Sequence, residues 1–193
     1  MNISQLFLER YNVLYKFYIG GLWENVSEDL MRQRPGPRLN SIAWNLWHLT
    51  RVEDAGLNRF VVDRPQVFDE GGWMERMNLP WRHQGTEMSF AEVDELNRLI
   101  DLKTLRAYSD AVRDRTLEIV QRLDPDNLDA VMEVDRLRLI VLDEGLAHPK
   151  AAGLVENYTG WTKGKCLLHF GLTHSFQHIG EIDVLASLLG IEF

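Results

Sequence analysis

LLHFGLTHSFQHIGEIDVLASL, residues Leu167 to Leu188, is the stretch from which the fold can be read. At helical period one seam runs through Leu167, Gly171, His174, His178, Glu181, Leu185 and Leu188, in alternating steps of four and three, the spacing of a core-facing stripe. Three ionisable side chains sit in the middle of it. Burying one unpaired polar group costs roughly 1–3 kcal/mol, and an unpaired charge more, so three in succession on a core face need partners. A metal ion would supply them. His174 and His178 are about 40° apart in azimuth and about 6 Å apart along the axis, which lets two imidazoles reach one ion from the same helix face. Glu181, one turn further on, can act as a ligand, as a partner to a ligand, or as a proton acceptor.

An HxxxH pair arises often by chance, and the competing reading is two core histidines satisfied by buried hydrogen bonds, of which Glu181 supplies only part. A metal site needs a third ligand from another helix. The remaining histidines are His48, His83, His148 and His169. His169 lies about 140° round the helix from His174 and is expected to point elsewhere. His83 and His148 fall in loops. His48 sits on the inner side of another predicted helix, in register with Trp44, Val52 and Ala55, and bundle-core sites are built from facing helices in this way. Glu53 and Asp54 read as additional carboxylates near the site or, in preference, as solvated members of the charge run RVED. Trp44, Trp47, Phe170 and Phe176 read first as core. Cys166, about 12 Å before His174 along the helix, reads as a small buried hydrophobe. There is no HExxH, glycine-rich phosphate loop or GxSxG elbow.

Outward from that helix, Leu6, Phe7, Tyr11, Leu14, Phe17, Tyr18 and Leu22 predict a first long helix from Ile3 to about Asn25. Pro35-Gly36-Pro37 marks a connection, after which Asn40 or Ser41 caps a second helix reaching about Val62. From Asp63 to Met88 no period holds. The residues Trp73, Met74, Met77 and Trp81 suit either a lid over a site or a cluster covering one end of the core. Ser89 and Glu92 form a capping box, and Asp101 caps a third long helix ending at Asp124-Pro125. Residues 127–142 fit both helical and extended periods, 148–164 read as loop, and Gly190 ends the last helix. The expectation is an all-α chain, one domain over 1–193, folded as an antiparallel-type four-helix bundle with long loops.

Composition narrows the function. The net charge of −8 argues against broad binding of nucleic-acid backbones, which needs clustered Lys and Arg. The amphipathic N-terminus is unlike a signal peptide, and no run approaches 18 apolar residues, so neither export nor membrane spanning is expected. One cysteine excludes an intrachain disulfide and suits a reducing cytoplasm.

WNLWHLTRVED on the second helix, with HSFQHIGEIDVLASLLG on the last, resembles the DinB superfamily and its YfiT-like metal-dependent enzymes. The resemblance implies a four-helix bundle with one long crossover. It also implies a divalent ion, nickel or zinc, held by His48, His174 and His178. Many relatives have glutamine where this chain has Glu181, so the resemblance leaves open whether that carboxylate is a ligand or the catalytic base. Related enzymes are thiol-dependent transferases and isomerases using bacillithiol, mycothiol or glutathione. The activity this implies is attack by a thiol on an electrophilic carbon, or hydrolysis by activated water, with a small-molecule substrate and a possible homodimer. Two rivals stand beside it: a non-catalytic module with a closed His/Glu metal site, and a metal-free interaction protein with a buried hydrogen-bond network.

Overall fold

Three of the long apolar stripes begin where a side chain, Ser41, Asp101 or Thr162, satisfies a free N–H group at the start of a helix. The computed structural model describes residues 3–192. Helix α1 (Ile3–Val13) passes through a π-helical segment (Leu14–Ile19) into α2 (Gly20–Asn25), making the first stripe continuous. Ser27 caps α3 (Glu28–Arg32), a short helix the sequence reading did not contain. The Ser41 hydroxyl accepts from Trp44 N at 2.9 Å and opens α4 (Ile42–Ala55), which runs on as a second π segment (Gly56–Val61). Short helices α5 (Val67–Glu70) and α6 (Trp73–Arg76) interrupt the long connection. The Ser89–Glu92 capping box opens α7 (Phe90–Leu99), and Asp101 caps α8 (Leu102–Gln121). The ambiguous region is helical, with α9 (Val134–Arg138) followed by a π segment (Leu139–Asp143). Then come α10 (Leu154–Tyr158), α11 (Lys163–Leu168), a π segment (His169–Thr173) and α12 (His174–Leu188), which ends before Gly190 at φ 70°. Among the described residues no strand forms, and no helix is long and apolar enough to cross a membrane.

Side-chain contacts fix the helix directions. Tyr11 meets Glu53 and Thr116 shares that carboxylate, while Asn58 meets Arg115 and Arg51 meets Tyr108, so α4 and α8 run parallel. Asn45 meets His178 and Gly56 meets Phe170, so α4 and the last helix are antiparallel. Phe7 meets Gly171 and Tyr18 meets Phe176, so the first and last helices are parallel. The bundle is therefore not antiparallel throughout. Two parallel neighbours require a crossover of bundle length, which is the physical reason for the long connection between α4 and α8.

That crossover packs as core. Trp73 is buried 5.5 Å from the Tyr108 ring and Met77 is fully buried, so the lid alternative for the Trp73 to Trp81 stretch gives way to the core-covering one. The RVED run is buried as well, Arg51 and Asp54 by the crossover and Glu53 by the first helix and α8, correcting the expectation that Glu53 and Asp54 are solvated. Asp54 accepts from the backbone N–H groups of Val67 and Phe68 at 2.9 and 2.8 Å and from the Tyr108 hydroxyl at 2.7 Å. Arg51, 3.6 Å from Asp54, donates to Gln66 and to the Arg82 carbonyl and stacks 3.6 Å over the Phe68 ring. Glu53 accepts from Tyr11, from Tyr15 at 3.0 Å and from Thr116 at 2.6 Å, and burial lifts its pKa to about 7. Cys166 is buried, as expected, and burial pushes its thiol up to about 11.

Candidate metal centre

His48 faces inward from α4 because Trp44, one turn earlier, stacks on its ring with centroids 4.7 Å apart and planes 14° from parallel. His174 and His178 occupy successive turns of α12. The three rings converge, with centroid separations of 5.0 Å for His48–His174, 4.8 Å for His48–His178 and 4.5 Å for His174–His178. One ring nitrogen from each lies within 4.8 Å of the other two. Three imidazoles at this separation can surround a single ion, which needs Zn–N or similar bonds of about 2.0–2.1 Å.

Protonation and hydrogen bonding favour that use. Burial, and then the neighbouring His178, lowers the pKa of His48 to about 3. Burial, and then His48, His178 and His169, lowers that of His174 to about 2. Both are neutral at physiological pH, as ligands must be. His48 Nδ1 is 2.5 Å from the Gln84 carbonyl, which can only accept, so Nδ1 carries the proton and Nε2 is left with a lone pair. Asn45 Oδ1 and Glu181 Oε2 lie 2.8 and 3.0 Å from His178 Nδ1. His174 Nδ1 is buried with no hydrogen-bond partner. A native structure rarely leaves such an atom unsatisfied, and a divalent ion held by these residues would account for the orphaned histidine. The donor set fits a borderline divalent ion such as nickel or zinc.

The positions of the other candidates differ from the sequence reading in instructive ways. The π segment ahead of α12 carries an extra residue per turn, and the His174 N–H bonds back to the His169 carbonyl. Residues five apart thereby come to one side, so His169 does not point away: its ring centroid lies 5.8 Å from that of His174, against Trp161. It remains outside the three-nitrogen group. Within α12, Ser175, Ile179, Ile182 and the seam residue Leu185 face the core, whereas Glu181 and Leu188 of the expected seam are exposed. Glu181 stands behind His178 on its Nδ1 side, bordering a groove of about 540 Å³ that is also lined by Arg38, Asn45, Gln177 and Val184. His83 and His148 form a separate pair with ring centroids 5.0 Å apart. Each accepts a backbone N–H at Nδ1, from Gly85 and Lys150, which leaves the proton on Nε2 and makes them donors rather than ligands.

Sequence reasoning missed two residues that address the centre, Asn45 and Gln84. A polar residue three positions before His48 on an apolar face was a readable signal for Asn45. Gln84 acts through its backbone carbonyl, which no side-chain pattern announces.

Comparison with known proteins agrees with this architecture. A crystal structure of a conserved protein from Enterococcus faecalis superposes with a TM-score of 0.72, covering 98% of each chain at 15% identity, which shows a shared fold. No curated protein matches. The family model of the DinB superfamily matches residues 20–182, a span that includes all three converging histidines. The chain belongs to the DinB superfamily.

Proposed function

We propose that the protein is a divalent-metal-dependent enzyme acting on a small molecule, with His48, His174 and His178 as the ligands of nickel or zinc. The observation that carries this reading is the convergence of one nitrogen from each of the three rings, two of them held neutral by burial. A bound divalent ion supplies Lewis acidity that lowers the pKa of a low-molecular-weight thiol, such as bacillithiol, mycothiol or glutathione, or of water.

The rest is done by the chain. The Gln84 carbonyl and Asn45 hold the Nδ1–H groups of His48 and His178, and Trp44 shields the His48 face from water. In this reading Glu181, half-exposed on the groove beside His178, accepts a proton from an incoming substrate. Its position on the Nδ1 side of His178 supports an open coordination position over a closed His/Glu shell. Exposed Phe17, Val184 and Leu188 offer apolar surface for the homodimer that forms part of this reading.

Protein reconstituted with nickel or zinc should catalyse either thiol transfer to an electrophilic acceptor or hydrolysis of an ester or amide. Turnover should vanish in His174→Ala and fall in Glu181→Gln with metal content unchanged. A fully loaded protein inactive in both assays would favour the non-catalytic reading.

A further inference from the structure

We propose that Asn45 is a positioning residue that fixes which nitrogen of His178 faces the centre, a role that rests on reading the three histidines as ligands. Asn45 is fully buried on α4, one turn before His48. Its Oδ1 is 2.8 Å from His178 Nδ1, and its amide nitrogen donates to the Ser41 carbonyl at 3.0 Å. These two contacts determine the orientation of the amide. Turned over, this buried amide would set its oxygen against the Ser41 carbonyl oxygen and lose that hydrogen bond. As placed, Oδ1 can only accept, so His178 Nδ1 carries the proton and the lone pair lies on Nε2.

Ser41 is itself held in place. Its hydroxyl caps α4 through Trp44 N and donates to Asn97 Oδ1 at 2.5 Å. A chain of hydrogen bonds thus runs from Asn97 on α7 through Ser41 and Asn45 to His178 on α12. Each member is buried or nearly so.

Glu181 meets the same Nδ1 at 3.0 Å, yet cannot perform this task as well. Its side chain is 55% exposed, so water competes for the contact. It also rides on the same helix as His178 and cannot tie that ring to α4. Asn45 shares α4 with His48, so one helix supplies a ligand and the group that orients the ligand opposite. The acceptor is neutral, which leaves no buried carboxylate behind the imidazole that would need its own compensation.

The tautomer can be read directly by ¹⁵N NMR of the histidine-labelled, metal-free protein. Wild type is expected to hold His178 in the Nδ1–H form, and Asn45→Leu to lose that preference. His178 in the Nε2–H form in wild type would overturn the proposal, whether or not the variant folds. Chelator competition with zinc or nickel gives a second readout. Asn45→Leu should bind about 10–100-fold more weakly, the usual effect of removing a partner that orients a ligand. Glu181→Gln should change affinity by less than about fivefold, the range of an exposed polar contact. Equal affinity in wild type and Asn45→Leu, or a loss in Glu181→Gln as large as that in Asn45→Leu, would overturn it. If wild type binds neither metal, the ligand reading fails, and the tautomer of the metal-free protein still decides the role of Asn45.

Discussion

Gly56 lies so close to Phe170 that a β-carbon on it would stand 2.3 Å from the phenylalanine Cβ and Cγ. The contact joins two π segments, one extending α4 and one leading into α12. It sets the spacing at which His48, two turns before Gly56, meets His174, one turn after Phe170. Gly56→Ala should therefore destabilise the protein by about 1–3 kcal/mol, as overpacking a core does, and weaken metal binding together with stability. Gly180, where a β-carbon would meet nothing within 4 Å, is the contrast. Gly180→Ala should stabilise by about 0.5–1 kcal/mol. Urea unfolding of the two variants checks both signs, and an unchanged Gly56→Ala would show that the crossing can yield.

Glu53 makes a pH prediction. Its pKa in the folded protein is raised by burial from 4.5 to about 7, against the opposing pull of hydrogen bonds from Thr116, Tyr11 and Tyr15. Between those values the folded chain keeps a proton that the unfolded chain has released. The stability contributed by the protonated form is full below about 4.5 and is lost as pH rises through about 7. Relative to Glu53→Gln, wild type should lose up to roughly 3 kcal/mol across that window. Unfolding free energies measured from pH 5 to 8 for both proteins give the difference. Parallel profiles would contradict the assignment.

Arg51 and Asp54 are both fully buried, 3.6 Å apart, and joined through the Tyr108 hydroxyl, which accepts from Arg51 and donates to Asp54. Removing one partner leaves an uncompensated charge. Asp54→Ala should cost about 3–5 kcal/mol and Arg51→Met a similar amount, while the double variant should cost clearly less than their sum. A thermodynamic cycle from denaturant unfolding measures this, and additive costs would mean that the two charges act independently.

The helices were legible because their boundaries are local chemistry: the Ser41 cap, the Ser89–Glu92 box, the Asp101 cap and Gly190 stand where the sequence places them. The convergence of His48 with the HxxxH pair was legible for a related reason, since two periodic stripes facing one core bring such residues opposite each other. What was not legible depends on partners distant in sequence. Whether Glu53 and Asp54 meet water is decided by Tyr11, Thr116, Phe68 and Tyr108, which a view of α4 alone does not contain. The approach of His169 follows from one π turn, across which extrapolating at 3.6 residues per turn misplaces that ring, and the exposure of Glu181 and Leu188 follows from the side on which α12 packs, through Ser175, Ile179, Ile182 and Leu185.

The central claim is that α4 and α12 together hold one divalent ion, and metal titration of wild type beside its histidine variants tests it most directly. Wild type should bind close to one nickel or zinc ion per chain. His48→Ala, which leaves the α12 pair intact, should still bind but at least about 10–100-fold more weakly, and His174→Ala and His178→Ala should lose the ion. His169→Ala, outside the three-nitrogen group, should match wild type. A wild type that takes up neither nickel, zinc, cobalt nor manganese, or equal affinity in wild type and His48→Ala, would contradict the account.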